Sequence, residues 1–176
     1  RNLAKDEKER EARSKANKQK KALYLWSQAS VPKLHEKKYL SELRKNADWE
    51  ECWYRSTSCA QSGGVVILCG TRGNGKTQCA IELIRANCKQ SKKSRYGLAS
   101  FDLLVIDECQ SVPQTDFMLR IIELVVDLRY GDMKPTILIA NTSVDNLAGV
   151  VGESVLDRCN ELGGVLIFDW SSFRHA

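Results

Sequence analysis

The sequence predicts an α/β fold in which a parallel sheet is covered by helices on both faces. From residue 63 onward, short apolar runs alternate with longer helical stretches, as βαβ units require. These runs are continuously apolar, which is typical of strands buried on both faces. The 176 residues, 43% of them hydrophobic, suffice for one domain with a substantial core.

The N-terminal part of the chain holds its net charge. Residues 1–21 carry nine basic and four acidic side chains, and this excess equals the +5 of the whole chain. We expect residues 1–30 to form a charged helix or arm, a linker to or remnant of a partner-binding module. Its helix should run over 2–29 and end before Pro32. The charge is typical of a solvated helix face, and contact with nucleic acid or a partner is the alternative.

A lead-in segment, residues 31–62, connects this arm to the core. We expect a connector or short helix over 33–45 and a second helix over 46–61. Trp49 and Trp53 lie on the second helix, and core packing is their expected role.

The core, residues 63–176, begins with the strand VVILC, a glycine-rich loop and the helix TQCAIELIRANCKQ. A second strand is predicted over 101–106, and an amphipathic helix over 114–129. The strand TILIA follows, then a turn and two short helices in NTSVDNLAGVV and ESVLDRCNE, and the strand GGVLIFDW. The apolar residues on one side of the amphipathic helix are Phe117, Ile121, Leu124, Val125 and Leu128.

The loop after the first strand matches the phosphate-binding pattern G-x-x-x-x-G-K-[ST], known as Walker A. Glycines let successive N–H groups face a phosphate at a helix N-terminus. Lys76 would reach the β- and γ-phosphates of ATP, and the Thr77 hydroxyl would hold Mg²⁺. The predicted ATP- or ADP-binding residues of this stretch are Gly70, Thr71, Arg72, Gly73, Asn74, Gly75, Lys76, Thr77 and Gln78.

Polar residues follow the next two strands. Asp107 and Glu108 end the second strand, as in a Walker B motif, where Asp107 would hold Mg²⁺ and Glu108 would activate the attacking water. Asn141 follows TILIA and would lie beside the γ-phosphate if that strand runs between the first two, and a turn-forming asparagine is the alternative. These residues predict ATP hydrolysis.

Two late arginines complete the candidate site. Arg158 in SVLDR would offset developing charge in a neighbouring subunit, as an arginine finger, and a local salt bridge is the alternative. Arg174 would contact nucleotide within its own chain, and a solvated arginine is the alternative.

Other chemistry has little support in this sequence. The seven cysteines form no C-x-x-C pair, so we expect reduced, mostly buried thiols in a reducing cytoplasm and no zinc site. There are only two histidines, and no run of apolar residues is long enough to span a membrane.

Five segments, in this order, resemble the DnaC/DnaI-type replicative helicase loaders, especially phage and prophage forms, of the initiator clade of AAA+ ATPases. They are GTRGNGKTQCAIELI, LLVIDE, DLRYGDMKPTILIAN, ESVLDR and FDWSSFR. The resemblance covers residues 29–176 and implies a three-layer AAA+ core. It assigns Asn141 to sensor I, Arg158 to the arginine finger and Arg174 to a sensor-II-like role.

The resemblance also implies partners. They are a ring-shaped hexameric helicase, single-stranded DNA and further copies of the chain, in a bacterial or phage-infected cell. Lys76 and Asp107 are closer in sequence than in such relatives, so we expect a missing segment after about residue 96. Lys92, Lys93 and Arg95 are weak DNA-contact candidates.

Two other functions compete with helicase loading. An IstB-type transposition helper has the same core and coats duplex DNA, but such helpers usually lack the tail FDWSSFR. A nucleotide-dependent interaction module that does not hydrolyse ATP would have no need of Glu108.

Overall fold

The computed structural model describes residues 3–28, 31–36, 45–88, 102–111 and 115–174. Within these ranges the helices and strands are α1 (Leu3–Gln28), α2 (Lys33–Glu36), α3 (Ala47–Gln61), β1 (Val65–Gly70), α4 (Lys76–Cys88), β2 (Leu104–Ile106), α5 (Asp116–Gly131), β3 (Thr136–Ala140), α6 (Leu147–Val151), α7 (Glu153–Glu161) and β4 (Gly163–Phe168). Short 3-10 helices span Cys109–Ser111 and Val144–Asn146.

The four strands form one parallel sheet in the order β2-β3-β1-β4. Every pair is parallel, so all the carboxyl ends lie at the same edge. The predicted α/β class is confirmed. The strand TILIA lies between the Walker A and Walker B strands, as the prediction for Asn141 requires.

The predicted helices and strands agree with the structure to within a few residues at their ends. Helix α3 begins after Asn46, whose side chain accepts a hydrogen bond from the Trp49 N–H, and α5 begins after Thr115 in the same way. Parts of the predicted connector, the DNA-contact candidates Lys92, Lys93 and Arg95, and the expected missing segment lie outside the described residues.

The core has two halves, one on each side of β1. Val65, Ile67 and Cys69 point towards α5, α6 and α7, whereas Val66 and Leu68 point towards α3 and α4. Strands β1 and β3 are almost wholly buried. The edge strand β4 alternates between exposed and buried residues, so the sheet is fully covered only at its centre.

Most of the apolar side that the sequence predicts for α5 faces solvent and not the sheet, contrary to the usual orientation of such a helix. The residues that α5 turns inward are Ile122, Val126 and Arg129. The side chains that face solvent form an apolar stripe: Phe117, Ile121, Leu124 and Leu128, which are 38–70% exposed.

The charged arm is exposed wherever its side chains are described, which agrees with a solvated helix face. No helix in the described ranges is both long and apolar enough to cross a membrane.

The cysteines of the described ranges whose side chains are placed are free thiols. Cys59 is half-buried and the others are buried. Burial raises the pKa of Cys52, Cys109 and Cys159 to about 11, and that of Cys79 to about 12. A buried thiol with such a raised pKa is a weak nucleophile at neutral pH, which agrees with a packing role in the core.

The fully buried Arg129 joins α5 to the start of β3. Its Nε donates to Thr136 Oγ1 at 2.9 Å, and an Nη atom donates to Pro135 O at 2.7 Å. Burial lowers the pKa of Arg129 to about 10, with nearby Asp102 and Asp132 favouring the charged form. The guanidinium therefore satisfies backbone and hydroxyl groups that would otherwise be buried without partners.

We expect Arg129→Ala to lower the free energy of unfolding by about 3 kcal/mol, because it leaves buried acceptors unpaired and opens a cavity. The measurement is urea denaturation followed by circular dichroism. Arg120→Ala, at an exposed position of the same helix, is the control and should change stability by less than about 0.5 kcal/mol. Equal effects of the two substitutions would contradict this account of Arg129.

Candidate nucleotide-binding site

The glycine-rich loop crosses from the end of β1 to the start of α4, which begins at Lys76. Gly73 and Gly75 have φ angles of 88° and 87°, a region that side chains with a Cβ rarely enter. A Cβ on Gly73 would lie 2.1 Å from Ser172 Oγ, and one on Gly75 would lie 2.6 Å from Trp49 Nε1. The two glycines are therefore required by both backbone conformation and close packing.

The Lys76 side chain folds back over this loop. It is 4% exposed, and its Nζ donates to Gly70 O at 2.9 Å and to Thr71 O at 2.5 Å. Burial lowers the pKa of Lys76 to about 8; Asp107 opposes this shift, and Arg174 adds to it. The ammonium group is thus held in a site that disfavours its charge, which an anion would compensate.

Thr77 and Asp107 meet at the carboxyl ends of β1 and β2. Thr77 Oγ1 donates to Asp107 Oδ2 at 3.0 Å, and Asp107 Oδ1 accepts from the Glu108 N–H at 2.7 Å. A hydroxyl and a carboxylate in contact are oxygen donors that suit Mg²⁺, which keeps several of its waters and takes few protein ligands. The described residues contain no cluster of three or more His, Cys, Asp or Glu for a metal bound by protein alone.

Glu108 is exposed and has a φ of 55°, in the left-handed region. The 3-10 helix that follows fixes this turn, since Ser111 N–H donates to Glu108 O at 2.8 Å. Non-glycine residues held in this conformation are often found at functional sites.

Asn141 lies at the end of β3, and its backbone N–H donates to Gln110 Oε1 at 2.8 Å. Gln110 belongs to the 3-10 helix that follows Glu108. The side chain of Gln110 therefore ties the loop after β3 to the loop after β2. No motif pointed to this residue.

The segment after β4 lies against the glycine-rich loop. Asn74 Nδ2 donates to Phe168 O at 2.9 Å and also to Trp170 O. Arg174 is exposed, and its Cδ lies 3.5 Å from the position that a Cβ on Gly73 would take. The structure thus brings Arg174 close to the loop, as its predicted role requires.

Gln78 connects the loop to the lead-in segment. His35 Nδ1 and Gln78 Oε1 are 2.6 Å apart, and Gln78 Nε2 donates to Glu82 Oε1 at 3.1 Å. Glu82 in turn pairs with Arg85 at 2.8 Å. Gln78 is buried and thus turned towards its own helix and His35. His35 is a contact that the sequence reasoning did not find.

Arg158 has local contacts in this structure. Its Nε lies 2.8 Å from Asp127 Oδ1 on α5. The two groups form an ion pair whose angles do not meet those of a hydrogen bond. An Nη atom donates to Ser154 O at 2.8 Å and to Ser154 Oγ at 2.5 Å. The local salt bridge that is the alternative to an arginine finger thus joins Arg158 of α7 to an acid on α5, not to an acid on α7 itself. The Arg158 side chain is 27% exposed.

A parallel sheet of this order, with a glycine-rich loop after β1 and an acidic pair after β2, defines a P-loop fold of the AAA+ type. A crystal structure of the DnaC helicase loader has this fold. It aligns with 78% of this chain and 100% of its own, with a TM-score of 0.64 and 19% identity. The predicted AAA+ fold is therefore confirmed.

The sequence is similar to curated proteins named replicative helicase loader DnaC. The protein of Escherichia coli K12 is 37% identical over 79 residues, and that of Buchnera aphidicola from Acyrthosiphon pisum is 33% identical over 81 residues. These matches cover 44–45% of this chain but 32% of the relatives, so the matched part spans about a third of their length. No protein-family model matches. The resemblance to DnaC-type loaders is confirmed.

The conformation of Glu108 gives a prediction about stability. We expect Glu108→Gly to be more stable than Glu108→Ala by about 1 kcal/mol, because glycine adopts a positive φ without the cost of a Cβ. At Glu51, an exposed position inside α3, glycine should be less stable than alanine by about 1 kcal/mol. The measurement is urea denaturation of the four variants. If glycine and alanine rank in the same order of stability at both positions, the left-handed conformation of Glu108 is contradicted.

Proposed function

We propose that this chain is the ATPase core of a replicative helicase loader, which uses ATP to place a ring-shaped DNA helicase on single-stranded DNA. The observation that carries the ATPase part is the contact of Thr77 Oγ1 with Asp107 Oδ2, beside a Lys76 ammonium folded over the loop. The similarity to proteins named replicative helicase loader supports the rest.

The residues of the site suit binding and hydrolysis of ATP. The loop N–H groups and Lys76 bind the phosphates, and the charge of Lys76 is compensated there. Thr77 and Asp107 would hold Mg²⁺, which neutralises charge on the β- and γ-phosphates. Glu108 accepts a proton from the attacking water, and Asn141 orients that water or the γ-phosphate.

Self-association is part of this proposal. Within one copy the loop itself supplies Lys76 and Arg72, and Arg174 lies near the loop from the segment after β4. Charge that develops on the γ-phosphate needs a further cation, and Arg158 of a second copy would supply it. To do so it must leave Asp127 and Ser154, so the contacts seen here describe a subunit that is not so engaged.

The main test combines nucleotide binding, hydrolysis and helicase capture. Lys76→Ala should abolish ATP binding in calorimetry, because it removes the buried cation. Glu108→Gln should bind ATP with near-normal affinity but release phosphate about 10²-fold more slowly. It should also retain more of a replicative helicase in an ATP-dependent pull-down, since the ATP state persists.

Lys134→Ala is the matched control, because Lys134 lies before β3, at the opposite edge of the sheet. It should behave as the parent chain does. Unchanged ATP affinity of Lys76→Ala would overturn the ATPase assignment. ATP-dependent binding of duplex DNA with no capture of helicase would favour the transposition helper.

A trans role for Arg158 predicts complementation. Arg158→Ala and Lys76→Ala should each lack ATPase activity, and their mixture should regain part of it, because some interfaces pair an intact loop with an intact arginine. The measurement is phosphate release against protein concentration. Asp127→Asn, which removes the charged partner of Arg158, should keep the activity. If Arg158→Ala and Asp127→Asn both keep the ATPase activity and lower the stability by the same amount, the role of Arg158 is structural.

A further inference from the structure

The glycine-rich loop is held from outside through its carbonyl groups. Gly73 O accepts from the Phe173 N–H at 3.0 Å, Asn74 O accepts from Trp170 Nε1 at 3.2 Å, and Gly75 O accepts from Trp49 Nε1 at 3.1 Å. Gly75 O also accepts from the Cys79 N–H of α4 at 2.9 Å, so the Trp49 indole is its second donor. The three consecutive carbonyls are therefore held by donors from α3, from α4 itself and from the segment after β4.

Fixing a carbonyl also fixes an N–H. A trans peptide is planar, and its C=O and N–H point in opposite directions. Each carbonyl that is drawn outwards turns the N–H of the next residue towards the other side of the loop. The N–H groups turned in this way belong to Asn74, Gly75 and Lys76, at the N-terminus of α4, where an anion binds best.

The two indoles are themselves firmly placed. Trp49 is 1% exposed in the core beside α4. The Trp170 ring packs 4.8 Å from the Phe168 ring and 6.4 Å from the Phe173 ring, measured between centroids. Donors held by packing restrict the loop before a ligand arrives, so less order has to be gained on binding.

We propose that Trp49 and Trp170 are positioning residues for the phosphates: their indole N–H groups hold the loop carbonyls outwards, so that the loop N–H groups are already aimed at the anion. This inference rests on the proposed nucleotide site. It goes beyond that site because both indole N–H groups donate to loop carbonyls, and neither tryptophan belongs to the predicted phosphate-binding motif.

The chain offers a matched control in Trp53. It lies on α3 with Trp49, packs against the same half of the core, and its Nε1 has no hydrogen-bond partner among the described residues. Trp→Phe at position 49 or 53 removes similar apolar surface. Only the change at 49 removes a donor to the loop.

The test is calorimetry with MgADP and, separately, with inorganic pyrophosphate, which lacks the nucleoside. Trp49→Phe and Trp170→Phe should each weaken binding of both probes about 5- to 10-fold, as expected for the loss of one hydrogen bond that orders the site. Trp53→Phe should bind both as the parent chain does. Amide resonances of Gly75 and Lys76 should shift in the first two variants only.

A purely structural role would lower the stability of Trp49→Phe and Trp53→Phe alike and leave the affinities unchanged, and that result overturns the inference. If Trp49→Phe does not fold, benzothienylalanine at position 49 keeps the ring shape without the N–H and should give the same weakening. A parent chain that binds neither probe would overturn the proposed function as well. If the parent chain binds both probes, and the Trp170→Phe and benzothienylalanine variants bind them with the same affinity, the inference is overturned and the proposed function stands.

Discussion

The position of β1 between two parallel partners is the constraint on which the rest of the structure depends. Val65 pairs with Thr136 of β3 on one side and with Gly163 of β4 on the other. Parallel pairing brings the loops after these strands to one edge, although they are far apart in sequence. The glycine-rich loop, the acidic pair after β2 and the segment after β4 meet there for this reason.

The same edge of the sheet combines well-packed strands with two residues in unfavourable environments. The buried side chains of β1 and β3 fix where the loops start. Lys76 is buried, and Glu108 has a positive φ. Burial disfavours the charge of Lys76, and a Cβ disfavours the backbone of Glu108. A well-packed sheet supports such costs, which are typical of sites shaped for a ligand and not for stability.

Much of the fold could be predicted from the sequence, because the continuous apolar runs and the glycine and proline positions are local signals. The contact between Thr77, after the glycine-rich loop, and Asp107 could also be anticipated, because both follow strands of one parallel sheet. The orientation of α5 could not: periodicity tells which residues share a side but not which side meets the sheet. Here Arg129 faces inwards because Pro135 and Thr136 offer it acceptors.

The tryptophans illustrate a second limit. Core packing of Trp49 is confirmed, yet its N–H bond to Gly75 depends on α3 crossing the start of α4, which no local pattern encodes. The contacts of His35 with Gln78 and of Gln110 with Asn141 likewise join segments that are distant in sequence. Such hydrogen bonds arise from topology, so only the folded chain reveals them.

The pairing of β1 with β4 also bears on how the protein is made. During synthesis β1 and the glycine-rich loop leave the ribosome before either partner strand. Both edges of β1 therefore stay unpaired until β3 emerges, and one edge stays unpaired until β4 follows. Contacts of such long sequence separation form late and slowly. The nascent chain therefore passes through a stage in which the loop exists but has no fixed shape, and a chaperone that covers apolar strands would act at that stage.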